Sequence, residues 1–208
     1  MYTLERIIVL LSILWAATAL VYQWLKARGK GRIDYSRKAG DVVGGIFYNF
    51  TWAMLPAHKE TIRLHPYLFT VGLLMHVGIL LTIAYTVLIA VFPHIKAPSL
   101  VSSPILIISI LCGLFLLFRR ILSVQLRSMS SFEDYFSIIM TLYFLAAAFA
   151  HENGTINTGI YLINASILYI YLPLGKLRHA LFFFIARADY GARLGYRGTY
   201  PVRSEVKE

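Results

Sequence analysis

One apolar run, Tyr67–Phe92 (YLFTVGLLMHVGILLTIAYTVLIAVF), restricts what this chain can fold into more than any other stretch. It is long enough to cross a bilayer, which takes about 20 residues. It contains a lone ionisable side chain, His76, well inside the run, with Arg63 and His65 at its near flank. An ionisable group at that depth is costly. It is therefore expected to face the bundle interior and to serve a purpose there.

Composition agrees with this. The chain has 208 residues, 58% of them hydrophobic and 14% charged, with a mean hydropathy of +0.66. A soluble domain is not built this way. The single cysteine, Cys112, lies in an apolar run, so neither a disulfide framework nor a thiolate metal site is expected, and a small packing residue is. The net charge of +10 could suggest nucleic acid, but the basic residues sit in short runs between apolar spans. That is the charge signature of membrane topology.

The expected architecture is all-α, a five-helix transmembrane bundle. The first helix is roughly Ile7–Leu25, retained rather than cleaved, since its positive charge follows the apolar run. Trp15 and Trp24 fit either the aromatic belt or the core. A basic loop, a glycine stretch Gly40–Gly45 and a short aromatic segment Ile46–Leu55 follow. That segment is too short to span and suits the interface. The second helix is Tyr67–Phe92, the third roughly Pro104–Phe118 and the fourth roughly Tyr135–Ala150. The fifth runs from Thr158 past Pro173 to Phe184. The chain reads as one domain, 1–208, with a basic loop 26–64 and a basic tail 186–208 on the inner face. The stretch Tyr190–Arg203 has no helical apolar period and is expected to lie on the inner surface against a partner. Eighteen Lys and Arg fall in the inner segments and two, Arg6 and Lys96, in the outer ones. That bias places the N-terminus outside and the C-terminus inside. No internal repeat is visible, which disfavours an inverted-repeat transporter.

Of six histidines, His76 is the one well inside a span. His179, in YLPLGKLRHALFFF, lies toward the inner end of the fifth helix if that helix continues past Pro173. The second helix enters from the inner side and the fifth leaves there, so the two share the inner half of the membrane. Two inward imidazoles at one depth are what a b-type haem takes as axial ligands, with no covalent attachment. C-x-x-C-H is absent, which excludes c-type attachment. Arg63, Lys176 and Arg178 are candidates to pair with haem propionates. His58 and His65 flank the bilayer, while His94 and His151 fall in outer loops and are expected to be exposed. Each candidate also has a plain reading. His76 could bond a neighbouring carbonyl, and His179 could be an interfacial base beside Lys176 and Arg178.

The segments LLMHVGILLTIAYTVLIAVFPH, FRR, RSMSSFED and LPLGKLRHALFFFIAR resemble the family of respiratory nitrate reductase gamma subunits. That family includes the membrane cytochromes of heterodisulfide reductases and of complexes linked to dissimilatory sulfite reductase. HKETIRLHPYLF is more similar to these latter branches. The resemblance implies five helices in one order and commonly two haems. Their ligands would be two histidines ten apart on the second helix and two histidines eighteen apart on the fifth. Here the second-haem positions hold Thr86 and Tyr161, while His76 and His179 remain. The expectation is one haem b per chain, exchanging electrons with a quinone, menaquinone first. The resemblance also implies an iron–sulfur partner subunit at the inner face of a prokaryotic cell membrane. Such a subunit would not be an autonomous enzyme. The alternatives are a cofactor-free membrane anchor or assembly subunit with structural histidines, and a small transporter.

Overall fold

A computed structural model describes residues 3–28, 36–55, 64–92 and 99–202, with the side chains of 99–102 excepted. Every regular element among them is helical. Four helices are long and apolar enough to cross a membrane: α1 (Leu4–Arg28), α3 (Pro66–Val91), α4 (Ser99–Leu122) and α6 (Phe132–Glu152). A fifth crossing is counted if α7 (Thr158–Tyr171) and α8 (His179–Tyr196) form one interrupted span. The shorter α2 (Val42–Phe50) and α5 (Val124–Ser128) complete the set. The chain is therefore a helical protein with the makeup of a multi-pass membrane protein.

Chain contacts divide it into two compact units. The first comprises 1–21 and 67–178, the second 22–66 and 179–208.

In the first unit the core is built on α6 and α7. Phe144, Leu145 and Ala148 pack with Tyr161, Leu162, Ala165 and Leu168, joined by Val9 and Ala16 of α1 and Ile89 and Ala90 of α3. Small residues let helices approach: Ser109 of α4 is buried against α3 and donates to the carbonyls of Leu74 (2.9 Å) and Ile105 (2.8 Å). By bonding across helices and back into its own turn, the Ser109 hydroxyl is itself satisfied in an apolar bundle. Outward positions carry large apolar side chains, including Leu11, Leu14, Leu80 and Leu111. A water-soluble fold would not leave a continuous apolar exterior of this extent.

The helix ends are set by local chemistry. Ser131 precedes α6, and Asp134 one turn on accepts from both the Ser131 amide and its hydroxyl, each at 2.9 Å. A carboxylate there satisfies an orphan amide and complements the helix dipole. Asn157 caps α7 by accepting from the Ile160 amide. Between them Gly154 adopts φ 72°, a conformation that glycine alone takes at no steric cost.

In the second unit α2 and α8 pack face to face. Asp41 caps α2, accepting from the amides of Val43 (3.1 Å) and Gly44 (2.7 Å). Gly44 and Gly45, expected within a glycine loop, are thereby helical. A Cβ on Gly191 would stand 2.8 Å from the Gly45 carbonyl oxygen and from Ile46 Cα, so glycine is what allows the contact. Asn49 donates to the Arg187 carbonyl and Arg187 donates back to the Asn49 carbonyl. The Tyr200 ring lies 4.8 Å from that of Tyr48 and 6.1 Å from that of Tyr190, and burial pushes its phenol above the ordinary range.

Two expectations change here. The fifth helix is not continuous: α7 stops at Tyr171, a turn follows, a short 3-10 segment covers Lys176–Arg178, and His179 begins α8. The local cause is Pro173, which has no amide hydrogen to donate to an α-helix. The stretch from Tyr190, expected to lack a helical period, is helical as far as Tyr196, where α8 ends. Its period was hidden because the residues facing α2 are glycines, which register as neither apolar nor polar.

Candidate functional site

α3 carries both positions of interest. At His76 the ring Nδ1 lies 2.7 Å from the Gly72 carbonyl oxygen, one turn earlier. In a neutral imidazole this bond makes Nδ1 the protonated nitrogen and leaves the lone pair on Nε2. The second reading offered for His76, a bond to a neighbouring carbonyl, is thus realised, and it is also the bond that orients a metal-ligating histidine. His76 was expected to face the bundle interior. Instead it is exposed, between the exposed Leu74 and Val77. A Cβ added to Gly72 would meet nothing within 4 Å. Among the described residues, nothing stands against Gly72 on the face that bears His76.

Ten residues further on the surroundings are reversed. Thr86 is fully buried, and its Oγ1 donates to the Thr82 carbonyl and lies 2.6 Å from the Tyr161 hydroxyl. Tyr161 is fully buried as well, and its ring stacks on the His151 imidazole with centroids 5.0 Å apart. His151 was expected in an exposed loop. It lies in the last turn of α6, half-buried, with Nδ1 2.9 Å from the Tyr85 hydroxyl and Nε2 3.1 Å from Thr158 Oγ1. The α6 helix simply runs two residues beyond the expected end at Ala150. One imidazole thus joins α3, α6 and α7. Reading the sequence alone missed this cluster. The available signal was the set Tyr85, Thr86, His151, Thr158 and Tyr161, all polar or aromatic and all near one end of the apolar runs.

Of the proposed propionate partners, Arg63 lies outside the described residues, as do His58 and His94. Arg178 is exposed. Lys176 is engaged: its Nζ lies 2.6 Å from Asp134 Oδ2, and Arg120 Nη1 lies 3.4 Å from Asp134 Oδ1. Arg120 also donates to Ser130. A propionate at Lys176 would have to compete with this carboxylate. His179 is exposed as the first residue of α8, and His65 is exposed just before α3. Trp15 donates to the Ile170 carbonyl, while Trp24 takes the Arg28 guanidinium over its ring at 5.8 Å. Trp15 thus bridges α1 and α7, and Trp24 pairs with a cation as belt residues do.

The donor chemistry at His76 fits a b-type haem. A neutral imidazole with its far nitrogen held by a backbone carbonyl is a suitable axial ligand, and the open face at Gly72 would admit a flat group. Among the described residues, no group of three or more His, Cys, Asp or Glu side chains is placed to hold a metal ion by itself.

No protein-family model, no curated protein and no solved structure matches the chain.

Proposed function

We propose that the chain is a membrane cytochrome b subunit of the nitrate reductase gamma type. It would hold one haem b, with His76 and His179 as the residues to ligate it, and pass electrons between a quinone, menaquinone first, and an iron–sulfur partner at the inner face of a prokaryotic cell membrane. What supports this most is the contrast along α3. His76 presents an oriented imidazole on an open face, whereas Thr86 and Tyr161, which stand where a second pair of ligands would be, are bonded to each other. Haem, when bound, supplies a one-electron couple. The chain's own part is to position and bury. The Gly72 carbonyl fixes the His76 ring, and the apolar exterior of α3 excludes water. Arg178, with Arg63, offers cations for carboxylates.

The proposed topology has five crossings, with the N-terminus outside and the C-terminus inside. The charge bias supports it, and so does the packing of α2 on α8. Two helices in contact share one side of the membrane, so an even number of crossings separates them. Between them lie α3, α4, α6 and the α7 segment. A crossing by the chain through α7 would make that number even, which favours the five-crossing arrangement. Reporter fusions after Lys38 and after Val202 should both read inside, and a fusion at Asn153 outside. Opposite readings at Lys38 and Val202 would refute the five-crossing arrangement.

The visible spectrum of the purified protein tests the cofactor. A Soret band with a sharp alpha band on reduction, and one haem per chain by pyridine haemochrome, are expected. A featureless spectrum would instead support the cofactor-free anchor, in which the His76–Gly72 bond is purely structural.

A further inference from the structure

The second unit carries an exposed apolar face. α2 turns Gly45 and Asn49 toward α8, and Val43 and Phe47 point away. Val43 is 72% exposed, Phe47 69% and, just past the helix, Trp52 58%. Phe50 at the edge stacks on Phe184, itself exposed. Phe183 stands edge-on to Phe184 and lies under the Arg187 guanidinium. The unit is cationic. Its described residues include Lys26, Arg28, Arg37, Lys38, Arg187, Arg193 and Arg197 against Asp41 and Asp189.

Chain connectivity says what covers the face. The segment holding α2 begins where the membrane-length α1 ends, in a basic turn with the Trp24–Arg28 pair, and it ends where α3 begins. Seven residues separate Arg28 from Ser36, and even fully extended they reach only about 25 Å. A segment tethered at both ends to spans, apolar on one face and basic in composition, has the makeup of an interfacial helix. We propose that α2 with its α8 partner is a membrane-surface module, in which Val43, Phe47 and Trp52 enter the acyl boundary and the flanking cations meet anionic lipid headgroups. Such helices bury about 5–10 Å into the headgroup boundary, and each cation near an anionic surface adds attraction. The proposal is independent of whether haem is bound.

The test uses the full chain in nanodiscs of phosphatidylcholine with a minority of phosphatidylglycerol. Cys112→Ala removes the one cysteine, and nitroxide labels are then placed at F47C and, separately, R37C. The label at 47 should collide freely with oxygen and severalfold less with a water-soluble nickel chelate, and the label at 37 should do the reverse. Equal nickel access at both positions would refute the module. It would leave the face as a docking surface for a soluble protein instead. Where F47C does not fold, Trp52 serves as the sole tryptophan in a W15F/W24F chain. Quenching by lipids brominated high on the acyl chain supports the proposal, and free quenching by iodide overturns it. Omitting phosphatidylglycerol should raise nickel access at 47. No change would remove the headgroup part.

Discussion

Two places on α3, roughly 15 Å apart along the axis at 1.5 Å per residue, show opposite solutions to a polar side chain inside an apolar span. At His76 the polar atom is satisfied within its own helix, through Gly72, and the outward face stays open. At Thr86 the polar atom is satisfied twice, by Thr82 within the helix and by Tyr161 from α7, and the place is closed. Local satisfaction orients an imidazole from within its own helix, whereas cross-helix satisfaction uses the side chain in holding the bundle. The difference does not lie in polarity, because both positions are polar. It lies in which element supplies the partner.

The sharpest way to break this contrast is to remove the imidazoles. His76→Ala and His179→Ala should each abolish the Soret and alpha bands, while His65→Ala and His151→Ala retain them. Retention of the bands in His76→Ala would end the proposed role of the open face. A less drastic intervention gives the closed place the residues of the open one. Thr86→His with Tyr161→His should not yield a second haem per chain. Removing the Thr86–Tyr161 hydrogen bond and leaving two buried imidazoles without its geometry costs on the order of 1–3 kcal/mol, read as a lower unfolding midpoint. Two haems by pyridine haemochrome would show that chemistry and not packing keeps the second group out. The smallest change fills the open face. At Gly72→Leu the new Cβ meets none of the described residues within 4 Å, and the change should leave the unfolding midpoint unchanged or raise it, since glycine inside a helix costs up to about 1 kcal/mol. Haem content should nevertheless fall. A drop in stability with normal haem content would mean that the face at Gly72 is packed.

The spans were legible in the sequence because length and apolarity are linear properties. Tyr67–Phe92 and the observed Pro66–Val91 differ by one residue at each end. The break before His179 was half visible in Pro173, yet an apolar run on both sides of it read as one helix. α8 past Phe184 was not legible, because its organising residues are Gly191 and Gly195, and a glycine says nothing until its neighbour is known. At the site, Thr86 and Tyr161 were identified as positions where histidine is missing. That they bond to each other is a fact of three dimensions that the spacing could not give. His151 was misplaced because two extra helical residues, His151 and Glu152, turned an expected loop into the end of a helix.

The α2–α8 contact also sets an order of events during synthesis. Asn49 and Arg187, which bond reciprocally, are separated by 138 positions in the chain. While α3, α4, α6 and α7 are being made, α2 has no partner for Gly45 and Asn49. Long-range contacts of this kind close late, because the intervening chain must be ordered first. The second unit is therefore completed only after every intervening span exists. The glycine contact between α2 and α8 closes only once the chain has been made through Gly195.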